Sequence, residues 1–243
     1  MKPAKSPFCS LADESFGLEI PGAQSQEYAL FAPLHYEAGY AYPLIVWLHR
    51  QGCDEGQLRE VMPAVSIRNY VAVAPRGVHL SSELDAFGWR EDEAAIEEAQ
   101  RRIFACIEIA CRRFNVSPRR IFIGGAGTGG TMAIRTALAR PDCFAGALSL
   151  CGAFPSGDRP LRNLARARKV PLFLAVSRHC QSYPEAAVCH DLRLLHSAGI
   201  YVTLRQYANK EKMLAWMLSD VDRWIIDQIT SPGATPSFSP QPC

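Results

Sequence analysis

No run of the sequence reaches the roughly 18 consecutive apolar residues of a membrane span. The opening stretch, MKPAKSPFCSLADESFGLEI, carries charges without the apolar core of a secretory signal, so a soluble chain located in the cytoplasm is expected. Excess charge of either sign is lacking too. The 26 basic and 24 acidic residues are interspersed and leave a formal net charge of +2, which provides no field to recruit nucleic acid or an anionic membrane. Basic side chains do gather at Arg159, Arg162, Arg166, Arg168 and Lys169, but a solvated loop or helix face produces the same pattern. The nine cysteines form an odd set with no export signal, so reduced and mostly structural thiols are expected. Internal repeats are absent. Histidine is scarce toward the end of the chain: the six are His35, His49, His79, His179, His190 and His196, and none follows.

What is present is enough apolar material, 48% of 243 residues, for one sizeable α/β domain. Apolar runs alternate with helical periodicity: strand candidates at 27–37 (an edge), 43–49, 70–75, 120–124, 145–150, 170–176 and 201–207, with helices over 91–114, 129–139, 184–197 and 213–229. In the first of these helices Ile96, Ala99, Ile103, Cys106, Ile107, Ala110 and Phe114 share a face, and Pro118 is read as its stop. In the last, Leu214, Met217, Val221, Trp224, Ile225 and Ile229 are read as facing a sheet. This divides the chain into an N-terminal segment (1–26), a single domain (27–230) and a Pro/Ser-rich tail (231–243) whose composition predicts disorder.

One stretch concentrates glycine, IFIGGAGTGGTMA from Ile121. Gly125, Gly127 and Gly130 fit the G-x-G-x-x-G of a dinucleotide loop. That loop also needs an acid at the end of the next strand to hold the ribose, and AGALSL runs instead into Cys151, Gly152 and Ala153. A Walker loop is excluded because no Gly-Lys-Ser/Thr follows the glycines. The alternative is a nucleophile elbow, G-x-S-x-G, at Gly125 to Gly129 with glycine where serine would stand.

Several stretches in order support the elbow: PLIVWLHRQGCDEGQL, YVAVAPRG, RRIFIGGAGTGGTMAIRTALARPDCFAGALSLCGAFP, VPLFLAVSRHCQSYP and LRQYANKE. Over about 27–229 the chain resembles the phospholipase/carboxylesterase and polymer-depolymerase-like esterase branch of the α/β-hydrolase family. The resemblance implies a mostly parallel sheet flanked by helices on both faces with no large lid domain, and neither a cofactor nor a metal. It places the serine position of the triad on Gly127, the acid position on Cys180 and the histidine position on Glu211, so none of the three carries the group its role requires. Acyl transfer by this scaffold needs all three roles, and losing one member costs about 10⁴ to 10⁶ in turnover. The resemblance further points to Arg50, Gln51 and Gly52 of the oxyanion loop, together with Gly127 and Thr128, as groups able to bind a carbonyl or an anion. Arg50 departs from the family, which has a glycine after the histidine.

Displaced catalysis has two candidates. Thr128 follows the nucleophile position, but a helix N-terminal role accounts for it. Cys151 with His179 could form a Cys-His pair at adjacent strand ends, against the simpler reading of a buried thiol and a partly exposed imidazole. His179, Cys180, Cys189 and His190 form an H-C…C-H set without the spacing of attested zinc sites. Trp89, Arg90, Glu91 and Asp92 are accounted for by a packed indole and an acidic helix start. The expected function is therefore that of an inactive hydrolase homologue binding a small acyl or anionic ligand or a protein partner. An active esterase or thioesterase with displaced groups is the alternative, and a nucleotide-dependent oxidoreductase is a distant third.

Overall fold

The computed structural model describes residues 27–80, 86–157, 160–178, 180–208 and 213–230, without the side chains of 213 and 214. The N-terminal segment, the tail, His179, Glu211 and the Leu214 side chain thus lie outside the described residues.

The apolar runs become strands, the central ones buried on both faces and the two at the sheet edges partly exposed. They are β1 (Tyr28–Phe31), β2 (Tyr42–Leu48), β3 (Val71–Pro75), β6 (Val116–Ala126), β7 (Gly146–Leu150), β8 (Leu172–Ser177) and β9 (Val202–Tyr207), and they form one sheet in the order β1-β3-β2-β6-β7-β8-β9. Every pairing is parallel except the antiparallel edge β1–β3. A small antiparallel hairpin, β4 (Val78–His79) with β5 (Phe87–Gly88), stands apart. The helices are α1 (Leu58–Val65), α2 (Glu93–Arg113), α3 (Thr128–Ala139), α4 (Leu164–Ala167), α5 (Glu185–Ser197) and α6 (Met213–Thr230).

Alternate residues of each strand feed two cores. Leu44, Val46, Leu48, Ile123 and Leu174 pack with Ile103 of α2, Ile134 of α3 and Leu195 of α5. Ile45, Trp47, Phe122, Leu148 and Phe173 face the other way, against Met62 of α1 and Met217, Val221 and Trp224 of α6. A parallel sheet covered on both sides needs apolar residues at odd and even positions alike, which is why these strands do not alternate with polar residues.

Helix α2 runs from the N-cap Asp92, whose carboxylate accepts the Ala95 N–H, to Phe114. It ends at Phe114, near Pro118, in line with the 91–114 span expected from the sequence. Pro118 belongs to β6, at the irregularity where the register with β2 jumps between Tyr42↔Val116 and Leu44↔Ile121. A bulge is the place in a ladder where a residue without an N–H does least harm.

Candidate functional site

The turn between β6 and α3 takes its shape from close packing at its glycines. A Cβ on Gly125 would fall 2.4 Å from the Leu48 carbonyl oxygen, and one on Gly129 would fall 2.3 Å from the same atom and 2.5 Å from that of His49. One on Gly152 would fall 2.3 Å from the Gly127 carbonyl oxygen. These glycines let α3 start against the ends of β2 and β7, so they serve backbone approach with no need of a phosphate.

Gly127 differs from them. Its φ of 55° and ψ of −127° lie in a region that side chains adopt only under strain, yet a Cβ built on it would meet nothing within 4 Å. Its N–H donates to Leu150 O at 2.9 Å and its carbonyl accepts from Thr131 N at 3.2 Å. The backbone therefore holds a position for a projecting side chain, and no described residue lies within 4 Å of where that side chain would begin. Thr128 begins α3, and its hydroxyl oxygen is buried with no hydrogen-bond partner among the described residues.

The loop after β2 is braced from several sides. His49 is fully buried, with Nδ1 2.9 Å from Arg50 O and Nε2 accepting from Gly77 N–H at 2.9 Å. Those partners assign the proton to Nδ1. Burial lowers the pKa of the ring, which stays neutral and structural. Trp89 Nε1 donates to His49 O at 2.8 Å, and Gln57 Oε1 accepts from both Trp47 Nε1 and the Arg50 N–H, at 3.1 and 3.2 Å. Glu55, also buried, takes two hydrogen bonds from Arg76; burial pushes its carboxyl up, and the Arg76 bonds outweigh this and hold it below its usual value.

Of the loop amides, the Arg50 N–H is held by Gln57, the Gly52 N–H donates to Phe87 O at 2.8 Å and the Cys53 N–H to Arg50 O at 3.2 Å. The Gln51 N–H has no partner among the described residues. Arg50 Nε lies 3.2 Å from Cys53 Sγ, which places its guanidinium along the loop. Gln57 and Cys53 were not singled out by sequence, because nothing in the chain marks Gln57 as the side chain that ties two donors together.

At the next strand ends, Cys151 adopts a left-handed φ of 56° and its thiol is pushed up to about 11, by burial first and then by the neighbouring Cys180 thiol. That makes it a poor nucleophile at neutral pH. Its proposed partner His179 is outside the described residues. Cys180 is half-buried, 3.9 Å from the Cys151 carbonyl oxygen. Cys189 and His190 lie exposed on α5, and no group of three or more His, Cys, Asp or Glu side chains among the described residues could hold a metal ion. A cavity of about 430 Å³ lies at the opposite ends of the strands, lined by Tyr40, Tyr42, Arg68, Tyr70 and Arg120, well away from the elbow.

Comparison with known proteins agrees with this architecture. The model of the Phospholipase/Carboxylesterase family matches residues 79–213, more than half of the chain. The chain belongs to this family. Among solved structures, Arabidopsis thaliana SOBER1 aligns with a TM-score of 0.65 and 18% identity, covering 78% of this chain and 100% of that one. The Bacillus cereus carboxylesterase aligns with a TM-score of 0.65 and 16% identity, over 82% and 93% of the two chains. The S-formylglutathione hydrolase of Staphylococcus aureus gives a TM-score of 0.57 and 15% identity, over 76% and 82%. At these identities the likeness shows the α/β-hydrolase fold. No curated protein matches the chain by sequence. Among the described residues no helix is long and apolar enough to cross a membrane.

Proposed function

We propose that this member of the phospholipase/carboxylesterase family binds a small acyl or anionic ligand at its elbow and does not transfer the acyl group. The observation that carries the reading is Gly127: the nucleophile's strained backbone conformation, open space in front, and no side chain to attack with. What is left beside it can accept a ligand. The Thr128 N–H opens α3, where unpaired amides and the helix dipole favour a carbonyl or carboxylate oxygen. The Gln51 N–H is a second donor with no partner among the described residues. The Thr128 hydroxyl is buried with no hydrogen-bond partner among the described residues.

The test is a panel of linear carboxylates from acetate to decanoate, read by thermal shift, run beside a fluorophosphonate probe and p-nitrophenyl esters. Carboxylates are expected to raise Tm in the wild type and not in Gly127→Leu, whose side chain grows into the open space. Neither covalent labelling nor ester turnover is expected. Stoichiometric labelling, or turnover abolished by Cys151→Ala, would establish the displaced-catalysis alternative instead.

A further inference from the structure

Two cysteines 29 residues apart meet at the rim of the elbow. Cys151 directly follows β7; its N–H donates to Ala175 O of β8 at 2.8 Å, and its thiol lies against the Ser177 backbone and the Cys180 thiol. The chain leaving β8 turns back on itself, with Cys180 N donating to Ser177 O at 3.1 Å. This brings Cys180 Sγ to 3.9 Å from Cys151 O and 3.3 Å from Ser182 Oγ. Both are free cysteines, and each residue is half-buried. The left-handed φ at Cys151, costly for a residue with a Cβ, is where the β7 strand end turns to set its thiol beside Cys180.

We propose that Cys151 and Cys180 form a redox-active dithiol that closes to a disulfide by exchange with a low-molecular-weight disulfide, tying the loop after β8 to the strand end beside Gly127. The Cys180 thiolate attacks one sulfur of oxidised glutathione; the glutathione S–S bond breaks and one glutathione thiolate leaves and is protonated. Cys151, losing its proton to solvent, then attacks the Cys180 sulfur and expels the second glutathione. Two protein thiols become one disulfide while oxidised glutathione takes up the two electrons and becomes two thiols. Cys180 attacks first because burial and its neighbour keep Cys151 protonated at neutral pH. Gly152 follows Cys151 directly and packs on the Gly127 carbonyl, so the cross-link forms at the edge of the elbow. This inference stands on the thiol contact and is independent of whether the elbow holds a ligand.

The test uses the full-length protein, reduced and then equilibrated with graded ratios of reduced to oxidised glutathione, alkylated and mapped by peptide mass spectrometry. The expected result is a cross-linked peptide joining Cys151 to Cys180, with the loss of two alkylatable thiols and full reversal by dithiothreitol. Cys151→Ser should trap glutathione on Cys180. Cys180→Ser should leave Cys151 glutathionylated at least about tenfold more slowly. Should either variant fail to fold, the wild-type peptide map decides alone. Both thiols remaining alkylatable at the most oxidising ratio, a lasting glutathione adduct on wild-type Cys180, or pairing of either residue with another cysteine would overturn the proposal.

Discussion

Replacing Gly127 by serine restores the one atom group the elbow most visibly lacks, and the structure sets both consequences. A Cβ at this position meets nothing within 4 Å, so no clash opposes the substitution. The backbone does oppose it, because φ 55°, ψ −127° is a conformation a side chain enters at about 1–3 kcal/mol. For a domain of this size that is a fall in Tm of roughly 3–9 °C. Activity is not expected to return. His49, the histidine buried in the oxyanion loop, has one ring nitrogen on Arg50 O and the other on the Gly77 N–H, and no histidine follows His196 in the sequence. With no base placed at the elbow among the described residues, the new hydroxyl is expected to stay protonated, and kcat/KM for p-nitrophenyl esters should remain within about threefold of the wild-type background. Differential scanning calorimetry and initial-rate assays on the same preparation measure both effects. A gain of about 10³ in ester hydrolysis would refute the absence of a base, and an unchanged or higher Tm would refute the strained conformation.

Gly129→Ala should destabilise by about 3 kcal/mol or more, since its Cβ would fall 2.3 Å from a backbone carbonyl that cannot yield, whereas Gly39→Ala, with nothing within 4 Å, should be near neutral; chemical denaturation of the two compares them directly. Burial pushes the Cys106 thiol up to about 12 from an ordinary value of 9.0, so its contribution to stability is complete below about pH 9 and is lost as pH rises toward 12; Cys106→Ala should flatten that part of the curve of stability against pH. Glu55 is shifted the other way from its ordinary 4.5, so the Arg76–Glu55 pair stabilises above that pH and weakens as pH falls below it; Arg76→Met should cost about 3 kcal/mol at pH 7 and much less at pH 3, as urea melts at the two pH values will show.

The fold was legible wherever burial dictates residue type. Strands such as 43–48 and 170–176, apolar at every position, announce a covered parallel sheet, and the spacing from Ile96 to Ala110 announces α2. Helix α1 was not legible: its eight residues include Pro63, and its amphipathic face, Leu58, Val61, Met62 and Val65, is too short to establish a period. The hairpin β4–β5 has two residues per strand, too few for any alternation. At the site, Gly125 and Gly129 could be read because each stands where a Cβ would strike the end of β2, and Gly127 because glycine replaces the serine of the G-x-S-x-G pattern. The Gln57 side chain that holds Trp47 and the Arg50 N–H could not be read, and neither could the meeting of Cys151 with Cys180. Both depend on how separate loops fold over one another, and local sequence carries no trace of that.

The central claim is that the elbow keeps a binding backbone without an attacking atom. It is tested most directly by titrating the ¹⁵N-labelled protein with octanoate and following amide shifts by NMR, with the same sample then offered p-nitrophenyl octanoate. The account predicts saturable shifts led by the Thr128 and Gln51 amides, and an ester that remains intact. Shifts that bypass Thr128, or an ester consumed at a rate set by the protein, would contradict it.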